Sequence, residues 1–257
     1  AEIFDVPHSD REQFQRWSDD VSRFFGESTG NDVAHDAAVA NDAIMALEDY
    51  FLRLLRVRRD ALGADLVSLL IRAVEQDRIS DTELVCQCIL IMMAGHFSTI
   101  DQLGNAMYAL LSHPTALRTL AEQPALLPGA VEECMRYDGA VIFMARMLTD
   151  DVELHGQAMR AGDNVFLGMG SANRDPDAFE SPETFDIRRQ GKRQLGFGFG
   201  AHQCIGASLA RMEMRIAFEE LLKTWPSLRL DERGAAKRKA ESIFFRGFYS
   251  IPVRGLS

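Results

Sequence analysis

The chain has 257 residues, 47% of them hydrophobic and 26% charged, and its formal net charge is −10. This composition is ordinary for a globular protein and excludes a disordered, collagenous or disulfide-stapled chain. The acidic balance argues against a nucleic acid or an anionic membrane as partner. The four cysteines form no scaffold pattern, which favours a reducing, cytoplasmic compartment over secretion.

No targeting or membrane-spanning segment is expected. The N-terminus, Ala1–Asp5, lacks the basic start and apolar core of a signal peptide. The most apolar run, Cys88–Gly95, is far shorter than the ~20 residues that a spanning helix needs.

Residues 1–137 are predicted to be helical. The clearest start signal is the capping box Ser80-Asp81-Thr82-Glu83. From it an apolar helix of about 30 residues and ~45 Å is predicted to run to about Ser112, where His113-Pro114 ends it. Apolar residues at helical spacing predict further helices over Ser9–Phe25, Asn31–Ala61, Asp65–Gln76, Pro114–Glu122 and Pro128–Tyr137.

The pattern changes after Tyr137. Residues 138–194 are predicted to hold a small β part and a long irregular segment, and residues 195–224 a glycine-rich loop and a helix that starts at Cys204. The tail, 225–257, is predicted to form a hairpin over Ala240–Val253 that turns at Arg246-Gly247. The expected strands are Val141–Thr149, Val152–Leu154 and Asn164–Gly168, and the irregular segment is Ser171–Arg193. The fold class is therefore mainly α with minor β (α+β), as one domain over 1–257.

The loop Leu195–Gly206 carries the strongest chemical signal. A cysteine at a helix start, such as Cys204, feels the helix dipole and unpaired backbone N–H groups, which favour the thiolate. Glycines on both sides let the backbone approach a large planar ligand and donate hydrogen bonds to the sulfur. Cys204 is thus a candidate metal or haem-iron ligand, although a lone cysteine is more often a buried residue in a turn.

These residues resemble the haem-thiolate signature of the cytochrome P450 family, Phe-x-x-Gly-x-[His/Arg]-x-Cys-x-Gly. The matching residues are Phe197, Gly200, His202, Cys204 and Gly206. The resemblance implies a P450-like fold with haem (iron protoporphyrin IX) whose iron takes the Cys204 thiolate as axial ligand. It also implies that His202 contacts a haem propionate, and that Phe197, Gly198 and Gly206 border the haem.

Other motifs extend the resemblance along the chain. Glu133 and Arg136 match the family's Glu-x-x-Arg pair, which supports the haem-side loop, although such a pair is usually a surface pair. Arg146 resembles the strand arginine that binds a propionate. In the long helix, Gly95 resembles the glycine over the haem, and Ser98 with Thr99 retains the catalytic hydroxyl.

Three positions depart from the family pattern. Phe97 stands where the family has an acid, and a phenyl ring cannot transfer a proton. His96 could substitute, but its side chain points about 100° away on the helix. Thr184 replaces an Arg or His that completes the Glu–Arg network, and Gln194 replaces a propionate-binding His or Arg. Both replacements are expected to loosen haem anchoring.

The resemblance covers essentially the whole chain but only the C-terminal two thirds of a typical member, so the fold is expected to be incomplete at its N-terminus. It implies a monooxygenase, of the kind used in secondary metabolism, that oxidises a small apolar molecule with O₂ and electrons from a ferredoxin-type partner. The expected substrate pocket comprises Phe97, Ile142, Phe143, Ile243 and Phe244.

Two alternatives stay open within the family. Phe97 favours a redox-neutral or peroxide-using enzyme, such as a dehydratase, isomerase or peroxygenase. The missing N-terminal portion allows a non-catalytic partner subunit, with another chain supplying that portion.

Outside the family, Gly196-x-Gly198-x-x-Ala201 fits a dinucleotide-binding fingerprint but lacks the alternating β and α units that this motif needs. Cys86-x-Cys88 is a weak metal pair, since two such side chains diverge on a helix.

Overall fold

The computed structural model describes residues 2–26, 32–191, 193–239, 242 and 244–255. By packing, the chain divides into two compact units, Ala1–Phe97 and Ser98–Ser257. The single domain over 1–257 stays a prediction.

Helices dominate the described residues, in agreement with the predicted fold class. They are α1 (Arg11–Gly26), α2 (Val33–Arg59), α3 (Leu66–Glu75), α4 (Asp81–Ser112), α5 (Pro114–Glu122), α6 (Leu127–Tyr137), α7 (Met169–Ala172) and α8 (Ala207–Thr224). The helices predicted before residue 138 are confirmed, with ends that agree to within two residues. The short α7 was not predicted, because four residues carry no helical period.

Helix α4 begins at the predicted capping box. The Glu83 N–H donates to the Ser80 hydroxyl at 3.2 Å, and the Ser80 N–H donates to the Glu83 carboxylate at 2.7 Å. The hydrogen bond from the Ser80 backbone, with a second from its hydroxyl, lowers the pKa of Glu83. By length and composition α4 could cross a membrane, but the core helix of a soluble protein passes the same test.

Short antiparallel strand pairs form the β part within the described residues. The strands are β1 (Phe143–Met147), β2 (Val152–Leu154), β3 (Gln157–Met159), β4 (Asn164–Gly168), β5 (Arg229–Leu230), β6 (Lys237–Arg238), β7 (Phe248–Ser250) and β8 (Val253–Arg254). Strand β1 pairs with β4, β2 with β3, β5 with β8 and β6 with β7. The predicted strands are confirmed, although the first is shorter than expected and β3 was missed.

The predicted hairpin over Ala240–Val253 is wrong in its pairing. Lys237 pairs with Ser250, and Arg229 pairs with Arg254, so the strands enclose a longer connection than a turn at Arg246-Gly247. The reason is tertiary, since the Arg246 N–H donates to the carbonyl of Ala140 at 2.8 Å instead of closing a local turn. Ala240, Glu241 and Ile243 lie outside the described residues.

Each unit has its own apolar core. In Ala1–Phe97, aromatic rings of α1 and α2 pack edge to face, with the Phe14 ring centroid 4.7 Å from that of Tyr50 and 6.0 Å from that of Phe51. In Ser98–Ser257, α6 packs against α8, and the core residues Val131 and Met214 are completely or almost completely buried. This second core supports the cysteine loop.

The capping box gives a stability prediction. We expect Ser80→Ala to lower the free energy of unfolding by about 1 kcal/mol, because the Glu83 N–H loses its acceptor. Urea unfolding measures the change. The matched control is Thr82→Ala in the same exposed turn, and an equal loss in the control would contradict the role of the cap.

Candidate functional site

Cys204 lies on a loop before α8, so the predicted helix start at Cys204 is wrong. Helix α8 begins at Ala207, with Gly206 as its N-cap. The Cys204 N–H donates to the carbonyl of Phe197 at 2.8 Å, which closes the loop and keeps Cys204 out of the helix. The thiol of Cys204 is free and exposed.

Two glycines shape this loop. Gly198 and Gly200 have φ angles of +70° and +75°, in the left-handed region that side chains with a Cβ rarely adopt. The Gly198 N–H donates to the carbonyl of Leu195 at 2.8 Å. A Cβ added to Gly206 would lie 3.9 Å from the Cys204 sulfur. Of these glycines, Gly206 thus lies close to the thiol.

Phe197 anchors the loop to the core. Its side chain is buried in the cluster that includes Val131, Met135 and Met214. His202 is exposed at the end of a one-turn 3₁₀ helix, Gly200–His202. The described residues directly before Gly196, 173–191 and 193–195, contain no strand, which agrees with setting aside a dinucleotide fingerprint.

The Glu133–Arg136 pair is buried rather than superficial, with 1% and 2% of the two side chains exposed. Arg136 donates from Nε and Nη2 to the two carboxylate oxygens at 2.7 and 2.8 Å. Its three other N–H groups donate to the carbonyls of Asn173, Pro182 and Thr184 at 3.0, 2.8 and 3.0 Å. All five donors of the guanidinium are therefore used.

Arg189 completes the Glu–Arg network. Its Nε donates to Glu133 at 3.0 Å, and the Asp186 N–H donates to the other carboxylate oxygen at 2.8 Å. Thr184 contributes only its backbone carbonyl, which accepts from Arg189 at 2.9 Å. Arg189 thus supplies the cation that Thr184 lacks. The expectation that Thr184 loosens haem anchoring stays a prediction. Arg189 was missed in the sequence analysis. The one feature that could have indicated its role is that it is a cation in the irregular segment before the cysteine loop.

Gln194 is buried, and its side-chain amide forms hydrogen bonds within the chain. Its amide nitrogen donates to Glu132 at 3.1 Å, and its amide oxygen accepts from the Gly196 N–H. The side-chain oxygen of Asn173 accepts from the Leu195 N–H at 2.7 Å. The start of the cysteine loop is thus tied to α6 and to the chain after α7.

Strand β1 carries the predicted propionate arginine. Arg146 is half-buried, faces Val165 on β4, and donates to the carbonyl of Ala145 at 2.8 Å. The contact of Arg146 with a haem propionate stays a prediction.

Three predicted pocket residues lie near one another. The Ile142 N–H donates to the carbonyl of Phe244 at 2.9 Å, and the Phe244 ring centroid is 5.9 Å from that of Phe166. The side chain of Phe143, which follows Ile142, is exposed. The structure thus groups Ile142, Phe143 and Phe244, whereas Ile243 lies outside the described residues.

The α4 candidates fall on both sides of the unit boundary. Gly95 and Phe97 end the first unit, and Ser98 and Thr99 begin the second. A Cβ on Gly95 would meet nothing within 4 Å, while Phe97 packs against the core of its own unit. Burial lowers the pKa of His96, which therefore favours the neutral imidazole.

The donor set around Cys204 suits haem better than a bare metal ion. Among the described residues, no group of three or more His, Cys, Asp or Glu side chains could hold a metal ion. Haem brings its own four nitrogen ligands and requires from the protein one axial ligand, such as an exposed cysteine thiolate. Cys86 is exposed and Cys88 buried, so these two thiols do diverge, as expected.

The fold and the cysteine loop define a haem-thiolate protein, and comparison with known sequences agrees. The sequence profile of the cytochrome P450 family matches residues 32–243. The chain belongs to the cytochrome P450 family, whose members are oxidoreductases that carry haem.

Individual relatives extend over nearly the whole chain. The polyketide biosynthesis cytochrome P450 PksS of Bacillus subtilis is 38% identical, over 98% of this chain and 61% of its own length. The cytochrome P450 monooxygenase PikC of Streptomyces venezuelae is also 38% identical, over 99% of this chain and 59% of its own.

The structural match has the same extent. A crystal structure of P450BioI in complex with an acyl carrier protein ligated to hexadec-9Z-enoic acid superposes with a TM-score of 0.92 and 34% identity. The match covers 99% of this chain and 64% of P450BioI. The chain thus spans about three fifths of the length of its curated relatives, in agreement with a resemblance to only part of a typical member.

The Glu133 network gives a second prediction. We expect Arg189→Gln to lower the free energy of unfolding by about 2 kcal/mol, because one buried carboxylate oxygen of Glu133 loses a charged donor. Chemical denaturation measures this loss. Thr184→Ala is the matched control and should change stability by less than about 0.5 kcal/mol, because the backbone carbonyl remains. Equal losses in the two variants would contradict the assignment.

Proposed function

We propose that the protein acts as a monooxygenase that oxidises a small apolar molecule with O₂ and electrons from a ferredoxin-type donor. The observation that carries the proposal is the exposed thiol of Cys204 on a loop closed by the hydrogen bond to Phe197. A relative named as a monooxygenase, PikC, supports it. When bound, haem supplies the activation of O₂ and the transfer of one oxygen atom to the substrate.

Each residue around the thiol has a proposed role. Cys204 is the axial ligand of the iron, and Phe197 behind it holds the loop in place. The backbone N–H groups of Gly198 and Gly206 would donate hydrogen bonds to the sulfur, which would stabilise the thiolate. His202 and Arg146 would bind the propionates, because both side chains can donate hydrogen bonds to a carboxylate.

On α4, we assign one residue to leave space for a ligand and two residues to provide hydroxyl groups. The absence of a Cβ at Gly95 leaves room for a ligand, and Ser98 with Thr99 would orient a proton donor through their hydroxyl groups. Phe97 offers no titratable group. A proton must therefore reach the site through water held by these hydroxyls rather than from a carboxylic acid at this position.

Phe97 also supports a second candidate, a redox-neutral or peroxide-using enzyme. Peroxide already contains both the oxygen atom and the electrons that the donor would otherwise supply. A helix without an acid at this position is compatible with that chemistry.

The substrate class follows from the apolar residues near β1. Ile142, Phe143 and Phe244 would border the substrate, and their side chains favour an apolar molecule. Two relatives are named for polyketide and for steroid chemistry, and the carrier protein in the P450BioI complex bears a fatty acyl chain. These three kinds of molecule are also largely apolar.

The electron donor would dock beside the cysteine loop. Exposed Phe199 and Ile205 flank Cys204, and the exposed cations Arg193 and Arg215 lie just before and after this segment. Exposed apolar side chains combined with positive charges suit an acidic ferredoxin. Such a donor is in keeping with a cytoplasmic location.

The absorption spectrum tests the axial ligand. After reconstitution with haem, we expect dithionite and carbon monoxide to give a strongly red-shifted Soret band, because the ligand opposite carbon monoxide is a thiolate. Cys204→Ser should abolish this band. Cys86→Ser, at another exposed cysteine, should leave it unchanged. A normal band in the Cys204 variant would overturn the assignment.

The position of Phe97 separates the two candidate activities. With an apolar test substrate, we expect Phe97→Asp to raise turnover with O₂ and a ferredoxin system by about tenfold, because an acid restores a proton donor. Turnover with hydrogen peroxide should change much less. If the parent turns over with peroxide alone and Phe97→Asp gains nothing with O₂, the peroxide-using candidate is the correct one.

A further inference from the structure

Next to the buried Glu133, α6 presents a second carboxylate to the cysteine loop. Arg211 of α8 donates from Nε and Nη2 to the two oxygens of Glu132, the second at 3.2 Å. Gln194 donates to the same carboxylate at 3.1 Å. Glu132 therefore ties the start of the loop and the first turns of α8 to one point on α6.

The guanidinium of Arg211 also lies over Phe197. Its Cζ atom is 4.5 Å from the ring centroid, within the range of a cation–π contact. The carbonyl of Phe197 in turn accepts the Cys204 N–H at 2.8 Å. A continuous series of contacts thus runs from Glu132 through Arg211 and Phe197 to the backbone of Cys204.

The charge of Arg211 is permanent. The hydrogen bond to Glu132 raises the pKa of Arg211, and the negative charge of Glu132 raises it further. Because an arginine stays protonated in proteins, a positive charge lies behind the loop at every working pH. Its side chain is 28% exposed and that of Glu132 40%, so solvent screens the pair only in part.

We propose that Arg211, paired with Glu132, is a positioning residue that holds Phe197 and the Cys204 loop, and that its charge raises the reduction potential of the bound haem. The inference rests on the proposed function, since it assumes Cys204 as the iron ligand. Reduction of the ferric haem adds one electron from the donor and breaks no bond. The reduced site is more negative, and a nearby cation stabilises it relative to the oxidised site.

Opposite changes in charge should shift the potential in opposite directions. In mediated redox titrations of the haem-loaded chain, we expect Arg211→Met to lower the potential, because Glu132 is left without its cation. Glu132→Gln should raise it, and the double variant should lie between the two. Shifts in the same direction, or no shift, would overturn the electrostatic role.

The matched control is an exposed pair on the same helix. Lys223 and Glu220 are 3.6 Å apart on α8 with 77% and 64% of their side chains exposed. Lys223→Met and Glu220→Gln make the same charge changes and should leave the potential unchanged. Shifts as large as those at Arg211 and Glu132 would show that general surface charge, rather than the contact with Phe197, sets the potential.

A second measurement does not require haem. In the chain without haem, we expect Arg211→Met to speed hydrogen exchange of the Cys204 amide about tenfold, because the loop loses its contact to α6. Arg211→Lys should recover part of the protection. Unchanged exchange in Arg211→Met overturns the positioning role.

The two measurements separate this inference from the proposed function. A chain that takes up no haem through Cys204 refutes the proposed function and with it the effect on the potential. The exchange rates of the Cys204 amide then decide the positioning role alone.

Discussion

The C-terminal unit depends on one buried ion pair, Glu133 with Arg136. Burial of two charges costs several kcal/mol per ion unless their hydrogen-bonding capacity is used. Here all five N–H donors of Arg136 are engaged, and the Glu133 carboxylate accepts four hydrogen bonds, including one from Arg189. The pair is therefore compatible with the interior only because segments distant in sequence converge on it.

This convergence explains how an irregular segment becomes well defined. Residues 173–189 carry little regular secondary structure, yet their carbonyl groups serve as acceptors for Arg136 and Arg189. The side chain of Asn173 then holds the Leu195 N–H, where the cysteine loop begins. Hydrogen bonds of side chains to the backbone, rather than a helix or a sheet, therefore hold this segment and the start of the cysteine loop.

Two adjacent glutamates of α6 hold different segments of the chain in place. Glu133 holds the irregular segment, and Glu132 holds the cysteine loop and α8 through Gln194 and Arg211. Successive side chains on a helix point about 100° apart, so one helix can hold two separate layers. The same helix thereby links the stability of the unit to the position of Cys204.

The sequence by itself determined most helices and the identity of the cysteine loop. Capping boxes, helix-ending prolines and left-handed glycines act within a few residues. The local structure at Ser80, Pro114 and Gly198 can therefore be predicted from the sequence alone. The same is true of the spacing around Cys204. Only the tertiary structure decided the roles of Arg189 and Gln194, the pairing of the last strands, and the place of Cys204 before α8. Arg189, Gln194 and the last strands depend on partners far away in the chain, namely Glu133, Glu132 and Ala140. The place of Cys204 depends on a loop-closing bond to Phe197, and no helical pattern encodes these contacts.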